Sequence, residues 1–177
     1  SGMHNTVRID GREQSVPAGP FHWRTRADAR CVTWESSPAR DRMAGRHEGY
    51  APIVHEREVT AIHGVGWIVV DRILGAGEVS AAALWHFHPY WRVDRLEANG
   101  AVLRHLDGTA AAILASAPLR VVTADGLDEY APEYGRIEKG VCLECAVRGT
   151  APFSLTTVIP ADGELDSARR LASSVQA

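Results

Sequence analysis

Cysteine is scarce in this sequence, with three in 177 residues. Three thiols build no disulfide framework, and Cys142-x-x-Cys145 has no second pair with which to close a zinc ribbon. Residues three apart on a strand face opposite sides, so these two read as ordinary buried or half-buried thiols. Lys139 is the only lysine, no polybasic run is present and the net charge is −3, which argues against nucleic acid as a partner. No apolar run approaches the length of a membrane span. A P-loop, a dinucleotide fingerprint and a Ser-His-Asp order are all absent, which removes support for nucleotide and serine-hydrolase chemistry. No signal peptide is recognisable, and Ser1-Gly2-Met3 reads as a cloning remnant ahead of a start or boundary. The expectation is either an intracellular protein or a piece of a longer one.

What is present is β-structure. His4 to Asp10, Phe21 to Arg26, Arg30 to Glu35, Met43 to Tyr50 and Ile53 to Ile62 alternate or are rich in strand formers. Trp67 to Leu74 and Val79 to His88 read as two strands separated by a turn at Gly75-Ala76-Gly77. Trp91 to Glu97, Ala101 to Leu106, Thr109 to Ala115, Leu119 to Thr123, Arg136 to Val147 and Phe153 to Ile159 complete the set. Asp10-Gly11, Asn99-Gly100 and Asp107-Gly108 punctuate it as hairpin turns, because glycine accepts the positive φ of a tight turn. Short strands with such turns predict an antiparallel sandwich or barrel. The one helical segment is Leu165 to Val175, in a tail that is open to fraying.

Two sets of residues carry candidate chemistry. His86 and His88 lie two apart on a predicted strand and share a face, with Trp85 and Phe87 on the other. They make half a metal site of the kind found in cupin sandwiches, needing a third ligand from His47, His55, His63 or Asp71. The bland reading is a polar sheet face, with Asp71 accepting arginine or backbone hydrogen bonds. On Phe21-His-Trp-Arg-Thr-Arg26, His22, Arg24 and Arg26 share a face, and Arg24 and Arg26 suit the carboxylates of an acidic sugar chain. The bland reading there is a solvated outer face. Trp85 and Trp91 are expected to fill the core.

Several segments together resemble one known family. His4-Asn-Thr-Val-Arg-Ile-Asp-Gly-Arg-Glu-Gln14, His47-Glu-Gly-Tyr50, His55-Glu-Arg-Glu-Val59, Gly66-Trp-Ile-Val-Val-Asp-Arg72 and Trp85-His86 follow in order, and Tyr134-Gly135 and Thr156-Thr-Val-Ile159 close the series. This pattern resembles the last region of heparinase II/III-like polysaccharide lyases. The resemblance implies an all-β antiparallel sandwich, supersandwich or jelly-roll-like, over residues 3–163, with residues 164–177 as a tail, helical or disordered. It implies a two-part parent enzyme, often periplasmic or secreted, that acts on acidic polysaccharides by β-elimination. An α-helical toroid would carry the catalytic tyrosine and one histidine, and another histidine would lie early in the sandwich region. The toroid and the H-x-H strand expected upstream of His4 are not in this sequence.

His4 matches a zinc ligand of the family, whose partner ligands lie upstream. The chain is therefore expected to hold no cofactor alone, with zinc belonging to the full-length enzyme. Without the toroid, it is expected to be inactive and to form a homodimer through an orphaned face or the edge beside His4 to Asp10. The alternatives are a cupin-like metal site at His86 and His88, and a non-catalytic carbohydrate-binding module.

Overall fold

Alternating apolar and polar residues become sheet where one face can be buried, and most of the chain obeys this. The computed structural model describes residues 2–19 and 21–175. Its elements are β1 (Val7–Ile9), β2 (Val16–Gly19), β3 (His22–Thr25), β4 (Arg30–Ser36), β5 (Arg40–Tyr50), β6 (Ile53–Ile62) and β7 (Gly66–Phe87). There follow β8 (Trp91–Leu96), β9 (Gly100–His105), β10 (Ala110–Ala115), β11 (Leu119–Val122), β12 (Glu129–Glu133), β13 (Arg136–Lys139), β14 (Val141–Pro160) and α1 (Leu165–Val175). All strand pairs are antiparallel.

The expected turn at Gly75-Ala76-Gly77 is not a turn. β7 continues through it for 22 residues, and β14 runs beside it for 20. The two pair from Gly66↔Pro160 to Phe87↔Val141, so the chain at the glycines has a partner and cannot fold back. Gly75 (φ 132°) and Gly77 (φ 98°) bend the strand instead, opposite a register shift between Ala151 and Phe153. Likewise, the separate strands expected at Arg136 to Val147 and Phe153 to Ile159 resolve into β13 and a continuous β14.

The bend makes the sandwich. One layer follows the order β4-β5-β6-β7-β14-β10-β9-β8; β1 on β7 and β11 on β14 build the other, around the far halves of the two long strands. The core between them joins Val7, Ile9, Ala83, Trp85 and Leu143 to Tyr50, Ile73, Leu103, Ile113 and Leu155. Trp91 packs against it from the margin, as expected. Tyr50 is fully buried, and its hydroxyl donates to Val7 O at 2.7 Å, tying β5 to β1. Cys145 faces this core, while Cys142 faces the other way with Leu84, Val122 and Leu127.

α1 covers part of the outer face. Leu165, Ala168 and Leu171 pack on Ile68, Val102, Ala112, Leu114 and Val158. Asp162 accepts from Glu164 N at 3.0 Å and Ser167 Oγ at 2.6 Å at the start of the helix. Gly100 explains itself here. Its φ is not positive, but a Cβ would lie 2.9 Å from Leu165 Cδ1, so the residue admits the helix rather than a turn. Two two-stranded ribbons, β2–β3 and β12–β13, stand apart from the main sheet. No described helix is long and apolar enough to cross a membrane.

Candidate functional site

The β5–β6 hairpin sets His47 directly opposite His55, and the β6–β7 pairing sets Arg57 opposite Asp71. All four side chains point to the same side of the sheet, towards the core. Asp71 is 1% exposed and His55 3%, so neither is left to water. A buried polar group needs partners, and here they form a directed chain. Gly49 N–H donates to His47 Nδ1 at 3.2 Å, which places the His47 proton on Nε2. That nitrogen donates to His55 Nδ1 at 3.2 Å, and His55 Nε2 in turn donates to Asp71 Oδ1 at 2.7 Å. Arg57 closes the carboxylate with a two-pronged grip, Nε to Oδ1 at 2.7 Å and Nη2 to Oδ2 at 2.9 Å.

The electrostatics follow from burial and partners. Burial, and then the neighbouring His55, lower the His47 pKa to about 4. Burial pushes the Asp71 carboxyl upward, but the hydrogen bonds and charges of His55 and Arg57 outweigh it and hold the group below the usual carboxylate range. Arg57 also lies over the Trp85 ring, 5.4 Å from its centroid, and its Nη1 donates to Asn5 O. Asn5 Oδ1 accepts from His86 N at 2.7 Å. The buried chain thus ends by clamping the segment that carries His4.

His4, His86 and His88 line one depression of about 290 Å³, together with Asp128, Glu129 and Tyr130. The strand expected to carry both His86 and His88 stops at Phe87, where its pairing with β14 ends, so His88 lies outside the ladder. The His88 ring rests on Tyr90 and Tyr130, with centroids at 4.3 and 4.8 Å. His86 lies beside Cys142, with Nε2 3.9 Å from Sγ, and burial lowers its pKa. Among the described residues no three His, Cys, Asp or Glu side chains are grouped to hold a metal ion. A closed zinc site takes four ligands, and the described residues do not bring such a set together.

The other expected residues are dispersed. His63 pairs with Asp41 at 2.9 Å on the far part of the sheet. Arg24 is exposed on β3, and Arg26, just beyond it, approaches Asp28 at only 3.9 Å. Phe21 is 91% exposed on the same ribbon. The His47–His55–Asp71–Arg57 chain was not legible as a unit, since the sequence offered these residues only as spare metal ligands. The available signal was the placement of His47 and His55 on either side of the turn at residues 51–52. Chemically the chain fixes ring orientation, since both nitrogens of each imidazole are engaged.

The profile of the family described as heparinase II/III-like, C-terminal, matches residues 1–169. No curated protein matches the sequence. Heparan sulfate lyase HepC from Pedobacter heparinus superposes with a TM-score of 0.70 at 19% identity, over 91% of this chain and 24% of that one. A heparinase III superposes with a TM-score of 0.72 at 14% identity, over 93% of this chain and 25% of that one. A 4-alpha-glucanotransferase from Thermococcus litoralis gives 0.50 at 10% identity, over 88% and 27%. At these identities the likeness is one of fold. The chain spans about a quarter of the length of each of these solved structures.

Proposed function

This chain belongs to the heparinase II/III-like C-terminal family, and from that membership we propose that it is the sandwich portion of a lyase that cleaves uronic-acid polysaccharides by β-elimination. In this reading it walls one side of the substrate cleft and supports a helical toroid that carries the catalytic tyrosine. The observation that carries it is the family match over residues 1–169, in a chain about a quarter as long as the related solved structures. Alone, the sandwich is inactive in this reading, because the catalytic tyrosine lies on the toroid. His4 is the position at which the family would draw a zinc ligand from this region, and its placement by Asn5 and Arg57 suits that use. Two copies of the isolated chain pair as a homodimer through an exposed edge or face.

The test is absorbance. A lyase of this class releases 4,5-unsaturated uronates, which absorb in the near ultraviolet. Incubating the purified chain with heparan sulfate, hyaluronan and alginate is expected to give no rise. A rise with any of them means that the sandwich holds its own base and overturns the proposed division of labour.

A further inference from the structure

A second depression, of about 420 Å³, lies at the end of β5 and is lined by Arg26, Arg30, Arg46, His47, Glu48 and Gly49, with Asp28 at its margin. Arg30 and Arg46 stand directly opposite each other across β4 and β5. Like charges so placed repel. The neighbour of Arg46 on its other side, Glu56, gives its carboxylate to Arg72 instead. No hydrogen bond or ion pair reaches the Arg46 guanidinium among the described residues, and its Nε is closed off without a partner. Arg26 and Arg30 have only long contacts of 3.9 Å to Asp28 and Glu48, between well-exposed side chains. Such pairs contribute little and exchange readily for a better acceptor.

The backbone that carries these arginines is fixed. Ala27 N donates to Ser15 Oγ at 3.0 Å. A Cβ on Gly49 would lie 2.6 Å from Gln14 O and 2.7 Å from Ala27 Cβ, so only glycine lets this segment sit against β5. Three arginines therefore line one concavity, beside two displaceable carboxylates. The planar guanidinium fork matches carboxylate and sulfate oxygens bidentately.

We propose that this depression is an oxyanion site, in which Arg26, Arg30 and Arg46 hold a carboxylate or sulfate group carried on an acidic sugar chain. The sugar chain rests on the functional reading given above; the oxyanion rests on the three arginines alone. The site extends the sequence expectation for Arg26 and leaves Arg24 outside.

Calorimetric titration of the full chain tests it, with a uronate oligosaccharide, a sulfated oligosaccharide, a carboxyl-reduced and unsulfated control, and inorganic sulfate. Binding of the acidic oligosaccharides is expected, weakening with added salt and absent for the reduced control. Arg26→Gln/Arg30→Gln, two exposed positions that leave the fold intact, and Arg46→Gln are each expected to weaken binding at least tenfold. Arg92→Gln, at the opposite edge of the sheet, is expected to change nothing. Equal binding by the arginine variants overturns the site and leaves the sugar reading standing. Binding of inorganic sulfate alone overturns the sugar ligand and counts against that reading. Binding of neither overturns the proposal.

Discussion

Asp71 is the residue on which the buried polar chain turns, since it answers both His55 and Arg57. Replacing it with asparagine removes the charge and leaves the Arg57 guanidinium over Trp85 without its counter-ion. Breaking a buried pair on one side costs about 3 kcal/mol. Asp71→Asn is therefore expected to lower the urea midpoint by a corresponding amount with an unchanged slope. A shift equivalent to less than about 1 kcal/mol, the range of exposed pairs, would mean that the network adds no stability. His47 makes a second prediction, in pH. Its folded pKa, about 4, lies below the ordinary 6.5. The unfolded chain then binds the proton more readily, and stability rises with pH wherever that is so. The contribution of His47 is complete above pH 6.5 and is lost as pH falls through about 4, at up to ~1.4 kcal/mol per pH unit. Other groups also titrate here, so the measurement is the difference between the wild type and His47→Gln. That difference is expected to be steep between pH 6.5 and 4 and flat above.

At the scale of elements, glycines decide where strands bend and where the helix docks. Gly75 has φ 132°, and a Cβ there would lie 2.9 Å from Ile53 Cδ1. Gly75→Ala is thus expected to destabilise by roughly 1–3 kcal/mol, through strain and crowding together. Gly100→Ala pushes on Leu165 and is expected to loosen α1 first, seen as faster amide exchange over residues 165–174 than in the sheet. Uniform exchange across the molecule would show that the helix is not a separate unit. These same glycines show what the sequence concealed. Alternation marks strands that bury one face, so β5, β6, β9 and β10 were legible to within a few residues. Gly-Ala-Gly is locally the signature of a turn, and only the partner strand, some seventy residues away, makes it a bend. β2 and β12 escaped notice because their ribbons lie apart from the main sheet and are largely exposed, leaving no alternation to read. The fold class needs only local pattern, whereas the buried chain needs the register of three strands at once.

For the whole molecule, the proposed homodimer has exposed apolar side chains to draw on. Trp34, 71% exposed on β4, shares a face with Met43, and Trp67 is also open. Together with the outer edges of β1 and β4, they give a second copy somewhere to pair. Sedimentation at micromolar concentration is expected to show a dimer; a monomer that persists at high concentration removes that reading. β7 and β14 bear on a different matter, the ways in which such a protein is able to change over generations. Each runs through both layers, so a recombination break inside either one takes material from both halves of the sandwich. Insertions at hairpin tips and losses at the margins leave the pair whole. The two layers are therefore inherited together and are not separable modules that shuffling is able to recombine.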